Sequence, residues 1–173
     1  MRVIVLNKCG GKLYRTPVGD IKISLKLKEI YGDFGGESCG VYIWPSVHYG
    51  PDSLIACGKI LELMATTNKK LSDLMKEIPK YPIIRKSVKC PNKYKQLVME
   101  KLEHSISQLN FIKEVERIDG LNLKMQDGWS VIRPSGTEPL IRITVETKKE
   151  KILNLYVDKI LSLVKSAVNT VYK

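Results

Sequence analysis

Arg133 and Arg142 fence a short polar turn, Pro134-Ser135-Gly136-Thr137-Glu138-Pro139, with apolar, β-prone residues on both sides. These residue types suit the holding of an anion. Each guanidinium presents five donors in a planar fork that matches phosphate oxygens two at a time. Ser135 and Thr137 add hydroxyl donors. Gly136 lets the backbone bend so that successive N–H groups point at one anion. Arg142 follows Thr137 by five residues and can reach back from the exiting strand. Such a loop grips phosphate without catalysing anything. The bland alternative is a hairpin turn whose Ser and Thr bond their own backbone and whose arginines are solvated.

The remaining chemistry-bearing residues form no set of this kind. Cysteines stand at 9, 39, 57 and 90, none in a CxxC pair, and His48 and His104 are not spaced with them as ligands. No zinc site is expected, and reduced thiols fit better than a disulfide framework. Asp20, Asp33 and Asp52 are not spaced as a metal cluster. His48 follows "VYIWP" in a loop near Asp52 and is a candidate general acid or base, without an identifiable partner. His104 lies in the charged stretch "EKLEHSISQ" and reads as exposed. No serine has a recognisable activating base, so no catalytic residue is assigned.

The elements that must carry these residues follow from pattern. "VIVL" near the N-terminus reads as a strand. "PVGD" reads as a turn and helix start, with Asp20 able to cap. "DIKISLKLKEIYG" alternates like a strand before it spaces like a helix, so periodicity leaves both open. "GDFGGESCG" is a loop and "VYIWP" a short buried strand. Residues 52–66, "DSLIACGKILELMAT", read as an amphipathic helix capped by Asp52 or Ser53. "NKKLSDLMKEIPKYP" is a short helix ended by Pro79, "IIRKSVKC" a strand, and "PNKYKQLVMEKLEHSISQ" a helix with Pro91 in its first turn. From about Asn110, three alternating β runs are separated by "DG" at 119–120 and 127–128, a hairpin signal. The fenced turn, the strand "LIRITVET" and a long amphipathic helix complete the chain. This second unit is expected as an antiparallel sheet of about four strands with a helix on one side. The domain division is expected at 1–106 and 107–173.

The 173 residues suffice for one medium domain or two small ones. At 43% hydrophobic content disorder is not expected. No stretch approaches the ~20 apolar residues of a membrane span. The N-terminus lacks the long apolar region of a secretory signal, so a cytoplasmic protein without a membrane partner is expected. The formal charge of +11 favours an anionic partner or is simply a lysine-rich surface.

"RPSGTEPLIR" resembles the phosphate-binding loop of the α-D-phosphohexomutases, among them phosphoglucomutase, phosphomannomutase and phosphoglucosamine mutase. The match runs unbroken from Arg133 to Pro139. "TPVGD" (16–20) is similar to the family's T-x-V-G-D segment. "FGGESCG" (34–40) stands where the family carries a sugar-recognition loop, usually G-E-x-S-G. Glu37 and Gly40 match, while Cys39 replaces the usual Ser and Val41 the His that often follows. "PDSLIA" (51–56) resembles D-G-L-x-A, with Ser53 for Gly. The layout is similar to archaeal members and covers nearly the whole chain.

The resemblance implies an α/β plus α+β architecture: part of an α/β/α third domain, then a TATA-box-binding-protein-like fourth domain of antiparallel sheet and helix. It implies phosphate contacts from Arg133, Ser135, Gly136, Thr137 and Arg142, and sugar contacts from Glu37 and Cys39. An ionised Glu37 can accept bonds from two adjacent hydroxyls, and a thiol is a weaker donor than the usual hydroxyl. In the family a phosphoserine in a T-A-S-H-N-P-like loop passes its phosphoryl group to a hexose phosphate, the bisphosphate turns round, and the other phosphate returns to the serine. A D-G-D-x-D-R-like loop holds magnesium. Neither string occurs here. The sequence then begins near the middle of the third domain, and residues 1–9 would fall on the tail of a helix. No cofactor is expected in this chain, and none of its residues is assigned to a metal. The expected partners are a hexose phosphate, the domains carrying the two missing loops, or a second copy of the chain through residues 1–105. The competing readings are a non-catalytic sugar-phosphate-binding subunit and a basic nucleic-acid module using Tyr14, Tyr42, Trp44, Tyr49 and Trp129. No RRM-like motif accompanies these aromatics, so no nucleic-acid partner is expected.

Overall fold

The computed structural model describes residues 10–172, and the chain divides into two compact units at residues 80 and 81. The "VIVL" strand, the helix tail expected over residues 1–9, and Cys9 lie outside the described residues.

In the first unit the ambiguous stretch is a helix, α1 (Asp20–Ile30). Ile23 and Leu27, one turn apart, bury against Ile43, with Val41 and Tyr49 packed beside them. Burial at every fourth residue selects the helical period over the alternating one. Asp20 sits in the first turn rather than at the cap. Gly19 holds the cap position at φ 130°, a conformation that favours glycine, and its carbonyl accepts from Lys22 and Ile23 N–H at 3.1 Å. Asp20 still places a carboxylate at the positive end of the helix dipole.

Two short strands, β1 (Gly35–Gly36) and β2 (Tyr42–Ile43), pair antiparallel, Gly35 opposite Ile43. A Cβ at residue 35 would lie 2.4 Å from the Ile23 side chain, so glycine is what lets this ribbon close on α1. Helix α2 (Ser53–Thr67) is capped by Asp52, whose Oδ1 accepts from Ile55 N–H at 2.8 Å, and α3 (Leu71–Lys76) follows. The apolar stripe read on α2 does not form a core among the described residues. Only Ala56 is buried, while Leu54 is 85% and Leu61 64% exposed.

The second unit is one five-stranded antiparallel sheet in the order β3-β7-β6-β5-β4. Its strands are β3 (Ile83–Lys89), β4 (Ile112–Arg117), β5 (Leu121–Met125), β6 (Gly128–Pro134) and β7 (Leu140–Thr147). A 3₁₀ turn (Asn92–Tyr94) and helix α4 (Lys95–Ile106) follow β3, and α5 (Glu150–Val171) follows β7. The sheet therefore has one strand more than the sequence predicts. The division falls near residue 80, not 106, because β3 pairs along the full length of β7. Ile84 lies opposite Val145 and Val88 opposite Ile141, so β3 extends the core face of the sheet by pairing with its last strand, β7, rather than with the strand that follows it in the chain.

The core of this unit is continuous. Val98, Leu102 and Ile106 of α4 and Leu153, Tyr156, Val157, Ile160, Val164 and Val168 of α5 join Leu121, Leu123, Met125, Ile132, Ile141, Ile143 and Val145 from the sheet. Alternation along β5, β6 and β7 sends Lys124, Trp129, Arg133, Arg142 and Glu146 to the opposite face.

Candidate functional site

The fenced turn is the β6–β7 hairpin. In its register Arg133 is directly opposite Arg142, so both guanidinium groups leave one face of the sheet from neighbouring positions. Like charges in cross-strand pairs are unfavourable. Each is balanced by a carboxylate beside it: Arg133 Nη1 lies 3.2 Å from Asp119 Oδ2, and Arg142 Nη2 pairs with Glu138. These pairs reach solvent, where such contacts are weak and exchangeable.

The loop between the arginines is tied at most of its backbone groups. Ser135 N–H donates to Leu140 carbonyl at 2.9 Å, and Leu140 N–H donates to Glu138 carbonyl at 2.8 Å. Ser135 is buried, and its Oγ accepts from Glu138 N–H at 3.2 Å. Part of the bland alternative is therefore realised, since this serine braces its own turn. A hydroxyl that accepts once keeps its proton for another acceptor. Gly136 and Thr137 are exposed, and no described residue accepts from their N–H groups. Gly136 differs from its expected role. Its φ is not positive, so the turn does not require glycine for its backbone. A Cβ there would meet nothing within 4 Å, so the missing side chain keeps the outer surface of the loop open.

Sequence reasoning missed Lys95. It is 8% exposed, the one charged residue among the buried polar side chains described. Its Nζ donates to Ser135 carbonyl at 2.5 Å and to Glu138 carbonyl at 2.6 Å. Cys90 N–H donates to Pro139 carbonyl at 2.8 Å, so the start of α4 and the end of β3 hold the loop from beneath. Burial pushes the Cys90 thiol above its ordinary value, and the Lys95 charge opposes that rise. The signal for Lys95 was present: residues 95, 98, 102 and 106 share one helical face, and a lysine heads an otherwise apolar stripe.

In the first unit Glu37 opens the turn between β1 and β2. Its N–H donates to Val41 carbonyl at 2.9 Å, and Gly40 N–H donates to Glu37 carbonyl at 3.2 Å. Glu37 Oε1 accepts from Gly19 N–H at 2.7 Å, and Oε2 accepts from Cys39 Sγ at 3.1 Å. Segments 16–20 and 34–40 are thereby joined through one carboxylate at the N-terminus of α1. Cys39 is exposed. Its thiol is spent on Glu37, while each carboxylate oxygen keeps acceptor capacity.

His48 braces a loop. Its Nδ1 accepts from Gly50 N–H at 3.0 Å, which assigns the ring proton to Nε2, 3.0 Å from Asp52 Oδ2. The bond from Ile55 N–H, and then that from His48, holds the Asp52 carboxyl below its ordinary value. His104 is exposed. Trp44 packs on Phe34 with ring centroids 4.6 Å apart, and Trp129 donates to Glu146 at 3.0 Å. An open depression of about 450 Å³ in the first unit is lined by Tyr31, Trp44, Tyr49 and Lys59 among others, and by none of the expected site residues. Among the described residues no group of three or more His, Cys, Asp or Glu can hold a metal ion, and no helix is long and apolar enough to cross a membrane.

Comparison with known proteins accounts for both units. The family model described as phosphoglucomutase/phosphomannomutase, alpha/beta/alpha domain III matches residues 2–81, and that for the C-terminal domain matches residues 86–163. A probable phosphoglucosamine mutase of Methanopyrus kandleri is 36% identical over 167 residues, covering 96% of this chain and 36% of the relative. The phosphoglucosamine mutase of Methanococcus maripaludis is 35% identical over 164 residues, covering 95% of this chain and 36% of the relative. The chain thus spans little more than a third of the length of these curated relatives. A crystal structure of a phosphoglucomutase/phosphomannomutase family protein from Burkholderia thailandensis shares the fold, with a TM-score of 0.82 at 23% identity over 96% of this chain and 35% of that one.

Proposed function

The chain belongs to the phosphoglucomutase/phosphomannomutase family, as its third and C-terminal domains, and from that premise we propose that it grips a hexose phosphate for a mutase reaction whose nucleophile it does not carry. The β6–β7 loop takes the phosphate and the Glu37–Gly40 turn takes sugar hydroxyls. The observation that carries this reading is the end of one hairpin. Two guanidinium groups, a hydroxyl at Thr137 and two unspent N–H groups meet there, over a glycine with open space above it. Gripping and orienting a substrate lowers the entropic part of a barrier without contributing a reacting group.

The two relatives are named for glucosamine phosphate rather than for mannose or glucose phosphate. We therefore take a hexosamine phosphate as the preferred ligand. The magnesium of the family reaction belongs to a loop this sequence lacks. Among the described residues no group of three or more His, Cys, Asp or Glu stands in for that loop. The 173-residue chain alone should interconvert no hexose phosphates.

The experiment is a titration of backbone amide resonances with glucosamine 6-phosphate, glucose 1-phosphate and inorganic phosphate. Shifts should centre on residues 133–142 with all three ligands and weaken strongly in Arg133→Ala. Residues 37–40 should shift with the two sugar phosphates and not with inorganic phosphate, whereas a phosphate titration that leaves 133–142 unmoved, or an Arg133→Ala chain that binds like the parent, would overturn the assignment. A parallel assay with magnesium and hexose 1,6-bisphosphate should show no turnover. Turnover that survives purification and vanishes in Arg133→Ala would refute the claim of inactivity.

A further inference from the structure

A buried ammonium is costly unless its protons are taken. Lys95 has two of its three donors satisfied, both by carbonyls of the same loop, Ser135 at 2.5 Å and Glu138 at 2.6 Å. No carboxylate among the described residues forms an ion pair with it, whereas Arg133 and Arg142 each have one. Its positive charge therefore remains available to the loop and to whatever the loop holds.

The bond to Ser135 has a second effect. The peptide joining Ser135 to Gly136 is trans, as no cis bond occurs among the described residues. In a trans peptide the carbonyl and the N–H point in opposite directions. Drawing the Ser135 carbonyl inward to Lys95 turns the Gly136 N–H outward, toward the open side where a Cβ would meet nothing. The Glu138 carbonyl is drawn to the same ammonium and the Pro139 carbonyl to Cys90 N–H, so three carbonyls of the loop face the protein interior. An anion approaching Gly136 from outside meets its N–H and not the Ser135, Glu138 or Pro139 carbonyl.

We propose that Lys95 is the positioning residue of the phosphate loop: it turns the loop's carbonyls inward and its Gly136 N–H outward, and sets a fixed positive charge behind the phosphate. It touches the loop and not the ligand. The inference rests on the reading of residues 133–142 as the phosphate site.

Inorganic phosphate is titrated into the full chain and into Arg133→Ala, Lys95→Met, Lys95→Gln and Lys95→Arg, following the Gly136 and Thr137 amides. Thermal unfolding of each is recorded alongside. The parent should bind and Arg133→Ala should not, which tests the site itself. Lys95→Met, which keeps the stem and loses the charge and donors, should raise Kd about tenfold or more. Lys95→Gln should do nearly the same, and Lys95→Arg, which keeps the charge, should recover part of the loss. A merely structural lysine would lower the unfolding temperature and leave the phosphate Kd of the folded chain unchanged. If Lys95→Met does not fold, Lys95→Gln against Lys95→Arg decides the matter by the same ranking. Parent-like Kd in the uncharged variant overturns the role of Lys95 alone. Absence of phosphate binding in the parent overturns the site and the inference together.

Discussion

Gly136 shows how a residue can be required by a ligand and not by a fold. Its backbone lies outside the left-handed region, and the space where its Cβ would stand is empty. Gly136→Val should therefore change stability by no more than about 0.5 kcal/mol, as for an ordinary surface substitution. It places a branched side chain over the outward N–H groups, so phosphate affinity should fall by about tenfold or more, a loss of at least ~1.4 kcal/mol of binding energy. Urea unfolding and an amide titration on the same sample measure the two quantities. Equal phosphate affinity in the variant would show that ligand does not approach over Gly136. Ser135 is the contrasting case. It is buried and accepts from Glu138 N–H, so its loss disturbs the turn and the grip together.

At the scale of the element, α2 begins at an Asp52 cap that is itself braced by His48. The Asp52 carboxyl is held below its ordinary value, chiefly by the bond from Ile55 N–H and secondly by that from His48. A carboxyl depressed in the folded state adds stability that is complete above the unfolded value and is lost as pH falls through the folded one. The stability difference between the parent chain and Asp52→Asn should accordingly be present at neutral pH and close as pH falls below about 4. Asp52→Ala should lose helix signal at neutral pH, because the cap acceptor is gone. A difference that persists unchanged into strong acid would mean that the Asp52 charge does not stabilise α2.

At the scale of the molecule, the two units differ in how they bury apolar surface. The second unit has a continuous core and two helices on one sheet face. In the described part of the first unit only Ile23, Leu27 and Ile43 form a buried cluster, while Ile21, Leu25, Leu54, Leu61 and Leu63 are exposed. Apolar surface of this extent tends to find a covering partner. The full chain should therefore sediment as a dimer or larger species, and residues 81–173 alone should stay monomeric over the same concentrations. Substituting lysine for Leu54 and Leu61 together should shift the full chain toward monomer. A full chain that is monomeric and unfolds cooperatively would show that this surface needs no cover.

The sequence by itself determined the local features: the β6–β7 hairpin with its arginines, the "DG" turns before β5 and β6, a helix start capped by Asp52 or Ser53, the long α5 helix, and the family resemblance carried by residues 133–139. Each depends on neighbours in the chain, where side-chain chemistry acts directly on backbone conformation. Residues 20–30 were ambiguous because an alternating and a helical pattern coincided, and burial of Ile23 and Leu27 against Ile43 resolved them. Tertiary structure alone decided the rest. Strand β3 joined β7 across more than fifty residues, which moved the division from 106 to 80 and added a fifth strand. Pairing in the sheet set Arg133 directly opposite Arg142. Lys95 came to lie beneath a loop forty residues away, where its ammonium meets the Ser135 carbonyl. Such long-range partners are chosen by the completion of a shared core and the satisfaction of buried polar groups, and both are properties of the folded assembly of elements rather than of any single stretch.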